Sequence, residues 1–292
     1  MDSFKQLEVP AAEGPIYERL QRNEVELSLA TWKKTSGTPL LLIHGGAHTR
    51  HTFDRVVEGL ADTGPLIAYD VRGHGESGWH QDEIYYLHVF SDDIAAVLRE
   101  KTNTPAVIAG SSMSGLHCLT VAAEHPDLVK GLVMIDLLPK IEKGTLRNLR
   151  KFFTDLPFKS YEDLLQLYYE DISKGRETAD CIRELSFSTG EKPDGTYGFT
   201  FDKRTIDFIT ILHMEAFYEN ARKVTWPILL LTGTEKPMVT PDAIDEFLKN
   251  IPNCKDFQIR PIKGGSHCPW QQNPQAFVEE ISSFKQRLEK LD

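Results

Sequence analysis

A chain of 292 residues, 40% of them hydrophobic and 26% charged, can bury one substantial core and falls within the range of one large α/β domain, the expectation being one core plus an insertion. A formal net charge of −10 argues against a phosphate-binding surface, so nucleic acid is excluded as the expected partner. Four cysteines, Cys118, Cys181, Cys254 and Cys268, stand far apart with no CxxC pair, which excludes a dense disulfide scaffold and reads as free thiols in a reducing compartment.

The N-terminal run "MDSFKQLEVPAAEGP" has no basic stretch followed by an apolar one, and no later segment offers about 18 uninterrupted apolar residues. The expectation is a soluble, cytoplasmic protein without a membrane span. Short apolar runs then alternate with longer helical patterns, which predicts a doubly wound, mainly parallel sheet covered by helices. In chain order the strands are 39–44 (PLLLIH), 65–70 (PLIAYD), 105–110 (PAVIAG), 131–136 (GLVMID), 227–233 (PILLLTG) and 256–262 (DFQIRPI), four of them beginning at proline. Helical spacing places Phe53, Val56, Val57 and Leu60 on one face, Ile94, Val97 and Leu98 on another, and Phe277, Ile281, Phe284 and Leu288 on a C-terminal helix. Between 140 and 225 the strand rhythm stops. "SYEDLLQLYYEDI" and "TIDFITILHMEAFYENARKV" read as helices around a polar turn "KPDGTYG", so 1–139 with 226–292 is expected to be the core and 140–225 a helical cap inserted over the sheet.

At "AGSSMSGLHCL" an apolar strand turns directly into a helix. Small residues on both sides of such a bend keep the backbone from clashing, and in the G-x-S-x-G frame from Gly110 the exposed side chain is Ser112, with Ser114 where the second glycine would stand. A hydroxyl there sits at a helix N-terminus, whose unpaired N–H groups favour developing negative charge; the Met113 N–H is one candidate oxyanion donor and the Gly46 N–H, in His44-Gly45-Gly46 after the first strand, is the second. An alcohol needs a base within reach, and His267 in "IKGGSHCPW", between the last strand and the last helix, has the right placement.

Taken together, "LLLIHGGAHTRHTF", "AYDVRGHGESGW", "AGSSMSG", "GLVMIDLLP" and "GGSH" resemble the α/β-hydrolase superfamily, in the cap-bearing group with esterase, lactonase and C–C hydrolase members. The resemblance runs from about residue 25 to the C-terminus. It implies Ser112 as nucleophile, His267 as base and the Gly46 and Met113 N–H groups as oxyanion donors, with no metal or organic cofactor. The acid departs from the common pattern: after "PILLLTG" stands Thr234-Glu235-Lys236-Pro237, with a lysine where most members carry aspartate, and a cation cannot accept from an imidazole N–H. Asp136, at the end of the strand beside the nucleophile strand, is the favoured substitute; Glu235, one residue from the usual site, is the alternative, and Asp242 at a helix start is better explained by N-capping.

The "RGHGESG" loop reads as structural, with Asp70 and Arg72 bracing neighbours. His48, Phe153, Tyr169, Phe208, His213, Phe217 and Trp270 are candidates to shape a largely apolar pocket for a small molecule. The expected chemistry is acyl transfer to water from a carboxylic ester or lactone. A non-catalytic small-molecule binder of the same fold, and a lyase or cofactor-free oxygenase using His267 as base, stand as alternatives.

Overall fold

The computed structural model describes residues 14–33, 36–81, 85–141, 143–155, 158–171, 178–206, 214–235 and 237–291. The chain opens with a hairpin, β1 (Ile16–Arg22) and β2 (Val25–Trp32), turning at Asn23 with φ 47°. Then come β3 (Leu40–Ile43), α1 (Val57–Ala61), β4 (Leu66–Tyr69), α2 (Leu87–Lys101), β5 (Ala106–Ser111), α3 (Met113–Glu124) and β6 (Val129–Ile135). The stretch between β6 and β9 holds α4 (Lys143–Arg150), one turn of π-helix (Lys151–Asp155), α5 (Tyr161–Asp171), α6 (Thr178–Ser188), β7 (Thr189–Glu191), β8 (Tyr197–Phe199) and α7 (Met214–Ala221). The core resumes with β9 (Ile228–Gly233), α8 (Pro241–Lys249), β10 (Phe257–Ile262), α9 (Pro269–Gln272) and α10 (Pro274–Glu289).

Among the described residues, eight strands form one sheet in the order β1-β2-β4-β3-β5-β6-β9-β10, parallel except where β1 and β2 join it. Prolines set the lower edge of the parallel part. Proline cannot donate to the ladder, but the carbonyls of Pro39, Pro65 and Pro227 accept from Val107, Leu40 and Leu132 at 2.9, 2.9 and 3.0 Å, so these strands start in register. In-register starts carry through to the other edge, where Ser111 pairs with Ile135 and Ile135 with Leu231. The residues that follow these strands therefore emerge side by side.

Alternation along the strands divides the core. Ile108, Leu132 and Leu230 point to the face covered by α2, α3, α7 and α8, through Phe90, Ile94, Leu116, Phe217 and Phe247. Val107, Val133 and Leu229 point to the face covered by α1 and α10, through Leu60, Phe277, Ile281 and Phe284. Although α7 lies in the stretch expected to cover the sheet edge, it is part of the first of these layers, with the Asn220 amide donating to Thr120 Oγ1 at 3.1 Å.

The rest of the insertion has its own apolar cluster of Phe158, Leu164, Tyr168, Leu185, Phe199, Phe201 and Ile206, which packs on Ala47 of the core. The polar turn 192–196 closes a β7–β8 hairpin through Gly195, φ 79°, so the insertion is not wholly helical. Several polar ties fasten it, among them the following. Glu184 of α6 accepts from Thr52 Oγ1 at 2.7 Å, and the Asp202 N–H donates to the Gly73 carbonyl at 2.7 Å while its carboxylate accepts from the Tyr85 hydroxyl at 2.8 Å. No helix among the described residues is long and apolar enough to cross a membrane.

Candidate active site

Ser112 joins β5 to α3 in a conformation that only a forced bend produces, φ 52° and ψ −130°. Its neighbours are small because the bend leaves no room. A Cβ on Gly110 would lie 2.4 Å from the Ser114 carbonyl carbon, and one on Gly45 would lie 3.1 Å from Ser112 Cβ. Ser114 fills the position of the second glycine with a function of its own, its buried hydroxyl donating to the His44 carbonyl at 2.6 Å and tying the β3 loop to the elbow.

That loop is held by two neutral imidazoles. Burial lowers the pKa of His44 and of His74 to about 3. Uncharged rings carry one donor and one acceptor each: His44 Nε2 accepts from the Val71 N–H at 2.9 Å with Nδ1 2.8 Å from the Gly45 carbonyl, and His74 Nε2 accepts from the Ala47 N–H at 3.1 Å with Nδ1 3.2 Å from the Arg72 carbonyl. Ala47 is itself left-handed, φ 61°. The Ala47 N–H is committed to His74, Gly45 makes the close approach to Ser112 with half-buried Gly46 next in the loop, and Met113 opens a helix whose first N–H groups have no intrahelical acceptor. The neighbouring loop after β4 is braced as expected: Asp70 accepts from the Arg50 backbone and guanidinium, and Arg72 forms a bidentate pair with Asp93 at 2.6 and 2.8 Å.

On the other side, His267 Nδ1 lies 2.8 Å from Asp136 Oδ2. Asp136 follows β6 with φ 49°, is completely buried, and accepts at the same oxygen from the Met238 N–H at 3.0 Å. Glu235 is differently placed. Its side chain is exposed, 3.4 Å from Thr234 Oγ1, while its N–H donates to the Gly265 carbonyl at 2.8 Å. Gly233 permits that crossing, since a Cβ there would meet the Gly265 carbonyl at 2.1 Å. The segment after β9 thus supports the histidine loop through its backbone. Asp242 and Glu246 pair with Lys140 at 2.8 and 2.9 Å, and the N-cap of α8 is Thr240. Lys236 lies outside the described residues.

Two of the expected pocket residues require correction. Trp270 has no exposed surface; its Nε1–H donates to the Thr52 carbonyl at 2.8 Å and its ring packs against Phe53 and Phe277, because the chain returns to the core directly after the histidine loop. Phe217 is equally buried, in the α3–α7 layer. Phe153 belongs to the aromatic cluster of the insertion, 4.9 Å from the Phe199 ring, and Tyr169 is half-buried on α5. His48 is buried with Nε2 3.8 Å from Glu184 Oε1. Phe208 and His213 lie outside the described residues. Residues not singled out from the sequence also build the site's surroundings: Glu184 and Asp202, hidden in helical or turn-like text, and His117, one turn beyond Ser112 in "SGLHC". Among the described residues, no group of three His, Cys, Asp or Glu is arranged to hold a metal ion.

Comparison with known proteins places this geometry in context. A family model described as the alpha/beta hydrolase fold matches residues 38–268. An esterase of Mycobacterium tuberculosis is 25% identical over 277 residues, covering 91% of this chain and 88% of its own length. A pimeloyl-[acyl-carrier protein] methyl ester esterase of Neisseria meningitidis is 39% identical over 251 residues, 83% of this chain and 91% of that protein. Among solved structures, E-2-(acetamidomethylene)succinate hydrolase superposes with a TM-score of 0.79 at 23% identity, covering 92% of this chain and 98% of that one.

Proposed function

The chain belongs to the alpha/beta hydrolase fold family, and on that premise we propose that it is a serine hydrolase that cleaves a carboxylic ester or lactone through an acyl-enzyme. The observation that carries the reading is the buried Asp136 carboxylate held 2.8 Å from His267 Nδ1, at the sheet edge where Ser112 stands on its strained elbow. With Nδ1–H donated to Asp136, His267 Nε2 is the basic nitrogen. It takes the Ser112 proton as Oγ attacks the carbonyl carbon. The tetrahedral oxyanion is held by the Gly46 and Met113 N–H groups, and the buried carboxylate balances the imidazolium. His267 then protonates the leaving alcohol, and a water activated by the same nitrogen releases the acyl group. The two relatives named as esterases support ester cleavage as the reaction class.

The experiment is labelling with a fluorophosphonate probe alongside steady-state hydrolysis of p-nitrophenyl esters from acetate to octanoate. Wild type is expected to be labelled at Ser112 and to turn over at least one ester, with both lost in Ser112→Ala. Folded wild-type protein that takes up no probe would refute the nucleophile.

A further inference from the structure

Behind the β3 loop lies a cavity of about 30 Å³, lined among others by Gly46, Val71, Phe90, Met113 and His117. It borders Gly46 and Met113, the two residues whose N–H groups are assigned to the oxyanion, and Ser114 of the elbow. Its size admits about one or two non-hydrogen atoms, since a site of roughly 10–15 Å³ on this measure holds one water.

Three imidazoles face this space, and they are not equivalent. His44 and His74 spend both nitrogens on the loop backbone. His117 is 5% exposed, its ring stacks on Phe90 at 4.7 Å, and its Nδ1 is enclosed with no hydrogen-bond partner among the described residues. Burial lowers its pKa to about 3, which favours the neutral ring. A neutral imidazole whose Nδ1 is walled in has Nε2 left to meet an occupant. Depending on the tautomer that nitrogen donates to, or accepts from, a single oxygen. Val71, Phe90 and Met113 supply no charge that would hold a carboxylate or an ammonium group.

Resting on the serine-hydrolase reading, we propose that this cavity is the acyl subsite and that His117 reads its occupant, a short acyl group ending in an uncharged oxygen such as a hydroxyl. The preferred substrates are then esters of small hydroxy or oxo acids.

Phenyl hydroxyacetate and phenyl propionate test this, because they share a leaving group and differ by OH for CH3. Their kcat/KM ratio is measured for wild type, His117→Phe and His117→Gln, with thermal midpoints as the control for folding. Differences in intrinsic ester reactivity cancel when the ratios are compared between proteins. The ratio is expected to fall roughly tenfold in His117→Phe and to be partly kept in His117→Gln, which retains a donor and an acceptor. His117→Leu decides the matter if phenylalanine proves too large for the site. Wild type turning over both esters with a ratio unmoved by the apolar variants overturns the subsite while leaving the hydrolase intact. Failure of wild type on every ester, with no probe on Ser112, overturns the hydrolase reading and the subsite with it.

Discussion

Replacing Asp136 by asparagine separates the charge of the acid from its shape. The carboxylate is fully buried; Oδ2 meets both His267 Nδ1 and the Met238 N–H, and Oδ1 has no hydrogen-bond partner among the described residues. Asparagine can sit two ways. With its amide nitrogen at the Oδ2 position, two donors face each other at Met238 and the imidazole is driven to the wrong tautomer. With its oxygen there the tautomer survives, but an NH2 group is buried without a described acceptor, at about 1–3 kcal/mol of stability. In both cases the carboxylate that faces the imidazolium is lost. Opposite charges about 4 Å apart are worth about 4 kcal/mol at an effective dielectric of about 20, which is about 10³ in rate; adding the tautomer error brings the loss towards about 10⁴. The assay is steady-state ester hydrolysis with thermal melts on Asp136→Asn and Glu235→Gln. Asp136→Asn is expected to lose about three to four decades in kcat with KM little changed, and Glu235→Gln to stay within about twofold of wild type. An Asp136→Asn protein within tenfold of wild type, or a Glu235→Gln protein equally impaired, refutes the assignment.

Two further outcomes follow from groups outside the proposed triad. Ser114→Ala removes the 2.6 Å hydrogen bond that ties the His44 carbonyl to the elbow, and is expected to cost about 1 kcal/mol in urea unfolding and about tenfold in kcat, with Ser112 still labelled by the probe. Lys285, 1% exposed and bonded to Thr63, has its pKa lowered to about 8 by burial, so between pH 8 and about 10.5 the unfolded chain binds the extra proton and stability rises with pH. Lys285→Met is expected to be more stable than wild type by about 1–3 kcal/mol at pH 7, an advantage that shrinks by pH 9.5; urea melts at the two pH values check it, and a constant difference refutes it.

The six strands after the N-terminal hairpin and the serine elbow are legible in the sequence from apolar runs, four of them opened by proline, and from glycines demanded by close backbone approach. The β1–β2 hairpin is passed over although Val25, Leu27 and Leu29 alternate cleanly, because Glu18, Arg19, Arg22, Glu24 and Glu26 dilute the apolar signal of an edge pair with one wet face. The β7–β8 hairpin hides for a different reason. Its strands are three residues each, and Asp194-Gly195 marks the turn while saying nothing of what flanks it. Trp270 misleads because a large aromatic next to a functional histidine suggests a pocket wall, whereas this one anchors the loop by filling the core beneath it.

The misplaced acid has a physical resolution that motif reading alone leaves open. β6 lies between β5 and β9, so an aspartate on β6 stands one strand closer to the serine than one after β9 and needs a sharper exit from the sheet, which the left-handed Asp136 provides. The loop after β9 then does different work. Glu235 bonds the histidine loop through its N–H, Gly233 lets the two backbones cross, and the Met238 N–H donates to the Asp136 carboxylate. With Asp136 as the proposed acid, the side chain of Glu235 is released from the chemistry while the backbone crossing at Gly233 is not. A lysine in that text is therefore compatible with an intact acid–base pair, and the sensitive substitutions in this loop are those that alter its path, Gly233 before any other.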